Sequence, residues 1–253
     1  MSYINRMRPA NTKLVRFLWT GVWLLALIGL AAAAHRILTL ESPERFSRSN
    51  SPAAALDENF YPHKMLTLVH VLPGMLFMVL GPVQLSRTIR NKHLKFHRWS
   101  GWVFLVCSLI IAASALTMSF RMSIGGANET AATVLFALLF VFCLTTAFIH
   151  IRRKQVLLHR EWMIRGFAIG LGVATVRPIV GAFFAARRLS PHEFFGTAFW
   201  LGFTINLIAA EAWINYTRTH RVAERTRVYS NTPAGQSEIG SPRLDRGRDF
   251  PGF

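Results

Sequence analysis

Three histidines lie close to the ends of apolar segments, where imidazole side chains could bind iron. His97 precedes one such segment, His150 ends another and His159 begins a third. Neutral imidazole is the commonest metal ligand and supplies axial ligands to haem. The sequence therefore raises the hypothesis of a haem b site made from these residues, with no separate metal site. The alternative is three interfacial histidines beside basic loops.

His70 and Arg177 form a second candidate site. Pro73 follows His70 by three residues, and Pro178 directly follows Arg177. A proline inside a helix leaves the carbonyl four residues earlier without its hydrogen bond and kinks the helix. Such backbone is tolerated at membrane depth where it lines a cavity. We expect a ligand pocket in which Arg177 binds an anion and His70 titrates; the alternative is a histidine that only stabilises helix packing.

Arg165 and Glu211 are opposite charges inside two apolar segments. Each lies about five residues from the end of its segment that we expect to face the cytoplasm. A charged side chain within a membrane segment costs several kcal/mol unless it is paired or reaches water, so the matched depth predicts a buried ion pair. In the alternative, Arg165 extends past Trp162 to the lipid headgroups.

Six apolar segments would position these residues. The chain is 52% hydrophobic and 16% charged, whereas soluble domains carry about 25% charged residues. A membrane-spanning helix needs about 20 apolar residues. The sequence predicts an all-α, polytopic membrane helical bundle with six transmembrane helices, at 14–36, 63–85, 99–120, 130–151, 161–185 and 194–216.

Basic residues set the expected orientation. They are concentrated at the N-terminus, in the connections that follow the second and fourth segments, and after the sixth, which predicts that both termini are cytoplasmic. The net charge of +17 therefore indicates cytoplasmic loops and not nucleic-acid binding. We expect a multi-pass protein of the cell inner (plasma) membrane, surrounded by the lipid bilayer, with a membrane partner protein or a homo-oligomer as further alternatives. The expected divisions are a cytoplasmic segment 1–13, a separate first helix 14–36, an extracytoplasmic loop 37–62, a five-helix core 63–216 and a basic, largely disordered cytoplasmic tail 217–253.

Four sequence motifs resemble a family of predicted membrane proteins catalogued as domain of unknown function 2306. They are GPVQL at 81–85, HRWSG at 97–101, HREWMIR at 159–165 and the later Arg177. The resemblance covers about residues 63–185 and implies that Gln84 belongs to the functional positions; we assign Gln84 to the pocket with His70 and Arg177. Members often carry Gly-Arg after the first His-Arg pair, whereas Gly101 is followed here by Trp102. The family name implies no activity.

Three functions remain open at this stage. The first is a haem-binding bundle that transfers electrons through the histidines near the cytoplasmic face. The second is a membrane transporter or sensor for a small anionic or lipid-like ligand, and the third is a non-catalytic membrane assembly factor. The chain contains no phosphate-binding loop, dinucleotide fingerprint, metalloprotease motif or nucleophile elbow, so it does not predict an enzyme class.

Overall fold

Within a bilayer every backbone polar group must be satisfied internally, which leaves the helix as the natural form for long apolar segments. The computed structural model describes residues 12–42, 59–186 and 188–230, and helices make up most of them. The helices of this part are α1 (Thr12–Glu41), α2 (Lys64–Leu85), α3 (Arg87–Lys92), α4 (Leu94–Arg121), α5 (Gly126–Arg152), α6 (Val156–Ala186) and α7 (Pro191–Ser230). All except α3 belong to segments long and apolar enough to cross a membrane. The prediction of an all-α bundle with six membrane-spanning helices is confirmed.

Four helices form a ring around the core. α2 packs against α4, α4 against α5, and α5 against α6, while α6 approaches α2. α4 and α6 therefore face each other across the ring. α7 packs along α6 and α5, and α1 lies outside the ring against α2 and α6.

The bundle has two ends that differ in character. The first, called here the basic end, contains the C-terminal ends of α2 and α5, the whole of α3, and the N-terminal ends of α4 and α6. Its cations include Arg87, Arg90 and Lys92 of α3. The second, called the opposite end, contains the α4–α5 and α6–α7 connections.

Aromatic rings fill the middle of the ring of helices. Phe77 of α2 is 2% exposed, and its ring centroid lies 4.7 to 5.8 Å from those of Phe104, Phe140 and Phe167. Two glycines make room for this packing: a Cβ on Gly170 would lie 2.3 Å from the Phe77 ring, and one on Gly81 would lie 1.9 Å from the Phe167 ring. α2 and α6 therefore interlock, with a ring of each helix seated against a glycine of the other.

The helices differ from the sequence-based prediction in one additional helix and in one helix end. α3 was not predicted, because six residues are too few to show a hydrophobic period. α7 continues to Ser230, well past the predicted end at residue 216, because neither proline nor glycine interrupts residues 217–230. Residues 1–11, 43–58 and 231–253, which include most of the predicted N-terminal segment, loop and tail, lie outside the described residues.

Candidate functional site

The three histidines that the sequence analysis singled out all lie at the basic end of the bundle. His97 lies in the first turn of α4, His159 in the first turn of α6 and His150 in the last turn of α5. His97 and His159 are close enough to interact electrostatically, although they belong to helices on opposite sides of the ring. Nδ1 of His159 lies 2.9 Å from the carbonyl oxygen of Ala147 on α5. Because a carbonyl only accepts, Nδ1 of His159 donates, and Nε2 is left for another partner.

His150 takes a different role from the other two. Its Nδ1 lies 2.5 Å from Oε1 of Gln155. Gln155 belongs to the tight turn between α5 and α6, where Lys154 has a positive φ of 60°. His150 therefore contacts the turn. Within 12–42, 59–186 and 188–230, no three histidine, cysteine or acidic side chains are arranged to hold a bare metal ion.

Gln84 lies at the basic end and not beside His70. Its Nε2 donates to Oγ of Ser100 at 2.6 Å and to the carbonyl of His97 at 3.2 Å. Gln84 and His70 are separated by 14 residues of α2, which is about 21 Å along a helix. The assignment of Gln84 to a pocket with His70 and Arg177 is therefore corrected: the resemblance supplied the residue but not its depth. Gln84 instead fixes the backbone that carries His97.

Two side chains at the basic end, His97 and Arg90, lack a partner among the residues that the structure describes. Nδ1 of His97 is buried and has no hydrogen-bond partner in the described part of the chain. Arg90 of α3 is half-buried and within electrostatic range of both His97 and His159. Burial, and then the nearby Arg87, lower the pKa of the Arg90 guanidinium. No carboxylate among the described side chains pairs with Arg90. The site therefore combines imidazoles with a cation that has no counter-charge from these side chains.

Arg165 and Glu211 meet between α6 and α7. Nε of Arg165 donates to Oε1 of Glu211, and an Nη donates to Oε2 at 2.9 Å. The guanidinium carbon also lies 4.6 Å from the ring centroid of Trp162. The Arg165 side chain is 14% exposed and that of Glu211 is 39% exposed. Arg165 and Glu211, which their matched depths predicted to pair, thus form a bidentate ion pair that suits the planar guanidinium.

A second ion pair, which the sequence analysis missed, crosses the same helices. Nε of Arg218 donates to both carboxylate oxygens of Glu161 at 3.0 Å, and an Nη also donates to Oε2. The Glu161 side chain is only 6% exposed. The predicted end of the last span at residue 216 had placed Arg218 in a tail. A signal was available, because Glu161 and Arg165 are four residues apart on one helix face and both need partners.

His70 and Arg177 approach each other at the opposite end. Nδ1 of His70 lies 3.0 Å from Oγ of Ser114 on α4, and Arg177 lies within electrostatic range of His70. The Ser114 hydroxyl is itself 2.7 Å from the carbonyl of Ile110. His70 is half-buried, whereas Arg177 is exposed. The structure thus places His70 and Arg177 within electrostatic range of each other, whereas Gln84 lies at the basic end.

Comparison with known proteins bears on the membrane character of the chain but not on its activity. Residues 67–214, more than half of the chain, match the family model described as "Predicted membrane protein (DUF2306)". The match begins in α2, includes every polar residue discussed above except Arg218, and leaves α1 outside. No curated protein and no solved structure gives a match. The chain is thus a multi-pass membrane protein that belongs to the family of predicted membrane proteins known as domain of unknown function 2306.

Proposed function

We propose that the basic end binds haem b between His97 and His159, and that the protein transfers electrons through it. The observation that carries this proposal is the position of the two imidazoles. They come from helices on opposite sides of the four-helix ring and lie within electrostatic range of each other. Four-helix bundles commonly hold cofactors between side chains of facing helices.

The donor set fits an iron porphyrin better than a bare metal ion. A bare transition-metal ion bound by a protein generally takes three or four protein ligands, and the described side chains provide no group of three. Haem iron needs only two, because the porphyrin supplies the other four. The buried Nδ1 of His97, without a partner among the described residues, is a second indication that the site is completed by a ligand.

Each residue of the basic end has a definable task in this proposal. His97 and His159 would hold the haem iron through their imidazoles, and the bond from Nδ1 of His159 to the carbonyl of Ala147 would orient its ring with Nε2 available. Arg90, which pairs with no carboxylate among the described side chains, would offset the negative charge of the haem carboxylates. When bound, haem supplies one-electron chemistry. The phenylalanine rings around Phe77 would exclude water from the side of the site that faces the core.

The orientation and location of the protein form part of the same proposal. The basic end carries Arg87, Arg90 and Lys92, and the basic start of the long α7 extension follows the sixth span on the same side. By the preference of lysine and arginine for cytoplasmic loops, the basic end would face the cytoplasm and the protein would lie in the plasma membrane. Electrons would then enter or leave on the cytoplasmic side.

An absorption spectrum of the full-length protein tests the proposal. The protein would be expressed with ample haem, purified in detergent, and measured as oxidised and as dithionite-reduced samples. We expect a Soret band that shifts on reduction and about one haem per chain, because one pair of imidazoles binds one iron. His97→Ala and His159→Ala should each abolish this spectrum, whereas the matched variant His150→Ala should retain it because His150 contacts Gln155 in a turn. A wild-type protein that stays colourless even after titration with haemin would refute the proposal.

A further inference from the structure

The first turn of α4, which carries His97, has little support from its own sequence. His93 at the N-cap makes no side-chain hydrogen bond to the turn, and no acidic side chain lies there to offset the positive end of the helix. Lys95 instead adds a like charge at that end. Leu94 and Phe96 are exposed, so apolar packing does not hold the turn either. A helix end of this kind frays unless contacts from elsewhere in the fold hold it.

Gln84 of α2 supplies such a contact through both hydrogens of its side-chain amide. Its Nε2 lies 2.6 Å from Oγ of Ser100 and 3.2 Å from the carbonyl oxygen of His97. The Ser100 hydroxyl donates its own hydrogen to the carbonyl of Phe96 at 2.7 Å, so its oxygen accepts from Gln84. Because the His97 carbonyl only accepts, the nitrogen of the Gln84 amide and not its oxygen must face α4. Gln84 and Ser100 are both buried, so loss of either partner leaves the other unsatisfied away from water.

The same end of α2 is also seated on α6, the helix that carries His159. Gly81, three residues before Gln84, lies so close to the Phe167 ring of α6 that a Cβ at this position would overlap the ring. Pro82, the next residue, is fully buried. The last turns of α2 thus pack on α6 through Gly81 and are hydrogen-bonded to α4 through Gln84. Because α4 and α6 face each other across the ring, the end of α2 sets how their first turns lie relative to each other.

We propose that Gln84 and Ser100 are positioning residues for His97, which hold the first turn of α4 so that the His97 imidazole can bind haem iron together with His159. This inference rests on the proposed haem site and assigns a task to two residues beyond its histidines. His159 is oriented through its own ring by the carbonyl of Ala147, whereas His97 is positioned through its backbone. Residues that orient a metal ligand set the affinity of the site for the metal.

Hydrogen–deuterium exchange of the haem-free, full-length chain in detergent tests the positioning itself. Gln84→Met keeps a side chain of similar size but removes both donors, and Ser100→Ala removes one acceptor. Gln84→Met should speed exchange of the backbone amides of residues 97–101 at least about tenfold, because opening the turn no longer breaks two buried hydrogen bonds. Ser100→Ala should speed it by a smaller factor. Ser108→Ala is the matched control and should leave it unchanged, because Ser108 is equally buried on α4 but donates to the Phe104 carbonyl of its own helix.

Titration of the same variants with haemin tests whether the positioning acts on the ligand. We expect Gln84→Met to bind haem about 10- to 100-fold more weakly, the usual loss when a residue that orients a metal ligand is removed, and Ser100→Ala to change affinity in the same direction. Part of the haem in each variant should convert from a low-spin to a high-spin spectrum. Free imidazole should restore the low-spin spectrum, because it replaces only the displaced His97. A bundle that had lost its fold would show no such rescue.

The possible outcomes separate the role of Gln84 and Ser100 from the haem site itself. A wild-type protein that binds no haem would refute the haem site and, with it, the positioning role. Wild-type haem affinity and a low-spin spectrum in both site variants would overturn the positioning role and leave the haem site standing. Unchanged amide exchange at residues 97–101 in both site variants would also overturn it.

Discussion

Removing Arg165 should destabilise the protein far more than removing Arg177, although both arginines lie in α6. In Arg165→Ala, the Glu211 carboxylate loses both of its hydrogen bonds while it remains in an apolar segment. Breaking a fully buried ion pair costs about 3–5 kcal/mol. Because Glu211 lies about five residues from the predicted end of its span, close to the polar headgroups and water, we expect a lower cost of about 2–3 kcal/mol. Arg177 is exposed, and exposed substitutions usually change stability by less than about 0.5 kcal/mol.

Reversible unfolding of the detergent-solubilised protein, followed by the near-ultraviolet signal of its tryptophans, provides the assay. The variants Arg165→Ala, Glu211→Ala and the double variant form a thermodynamic cycle that isolates the interaction between the two side chains. We expect a coupling energy of about 1–3 kcal/mol. Arg177→Ala serves as the matched control on the same helix. Equal stability of Arg165→Ala and Arg177→Ala, with no coupling in the cycle, would refute the conclusion that the pair stabilises the α6–α7 contact.

Two further substitutions test local packing and capping by the same unfolding assay. Gly170→Ala should lower the free energy of unfolding by about 1–3 kcal/mol, because the added Cβ would meet the Phe77 ring. Gly74→Ala is the control and should not lower it, because no atom lies within 4 Å of its Cβ position. Equal effects of the two substitutions would contradict the interlocked packing of α2 and α6. Glu129→Ala should cost about 1–2 kcal/mol, because the carboxylate accepts from two backbone N–H groups at 2.7 Å at the start of α5; a cost near zero would show that water replaces both bonds.

The sequence predicts the spans well because each span depends on local composition. A run of about 20 apolar residues predicts a membrane-spanning helix, whichever other residues it contacts in the folded protein. The Arg165–Glu211 contact could be inferred for a related reason: depth along a regular helix follows from counting residues, and a charge at membrane depth needs a partner. These inferences need no knowledge of how the helices are arranged around one another.

The errors arise where the arrangement of helices in space decides the outcome. Gln84 was placed with His70 because a motif identifies a residue without stating what it contacts, and its real partners, Ser100 and the His97 carbonyl, belong to the next long helix. Arg218 was missed because the sixth span was predicted to end at residue 216, where apolar residues become sparse. Helices often continue past the apolar segment, and here the extension carries the partner of Glu161. The motif alone could not reveal the contacts of Gln84, whereas the spacing of Glu161 and Arg165 did indicate that Glu161 needs a partner.

The different surroundings of the two arginines follow from the faces of α6 on which they lie. His159 and Arg177 are 18 residues apart, which is five full turns, so they share one face. Arg165 follows His159 by six residues and therefore lies about 120° around the helix from it, whereas Glu161 and Arg165, four residues apart, lie within about 40° of each other. The face with Glu161 and Arg165 packs against α7. In one ion pair α6 supplies the cation, Arg165, and in the other α6 supplies the anion, Glu161. Sliding α7 until Arg218 reached Arg165 would therefore place two positive charges together. Oppositely ordered ion pairs thus fix the register of α7 on α6.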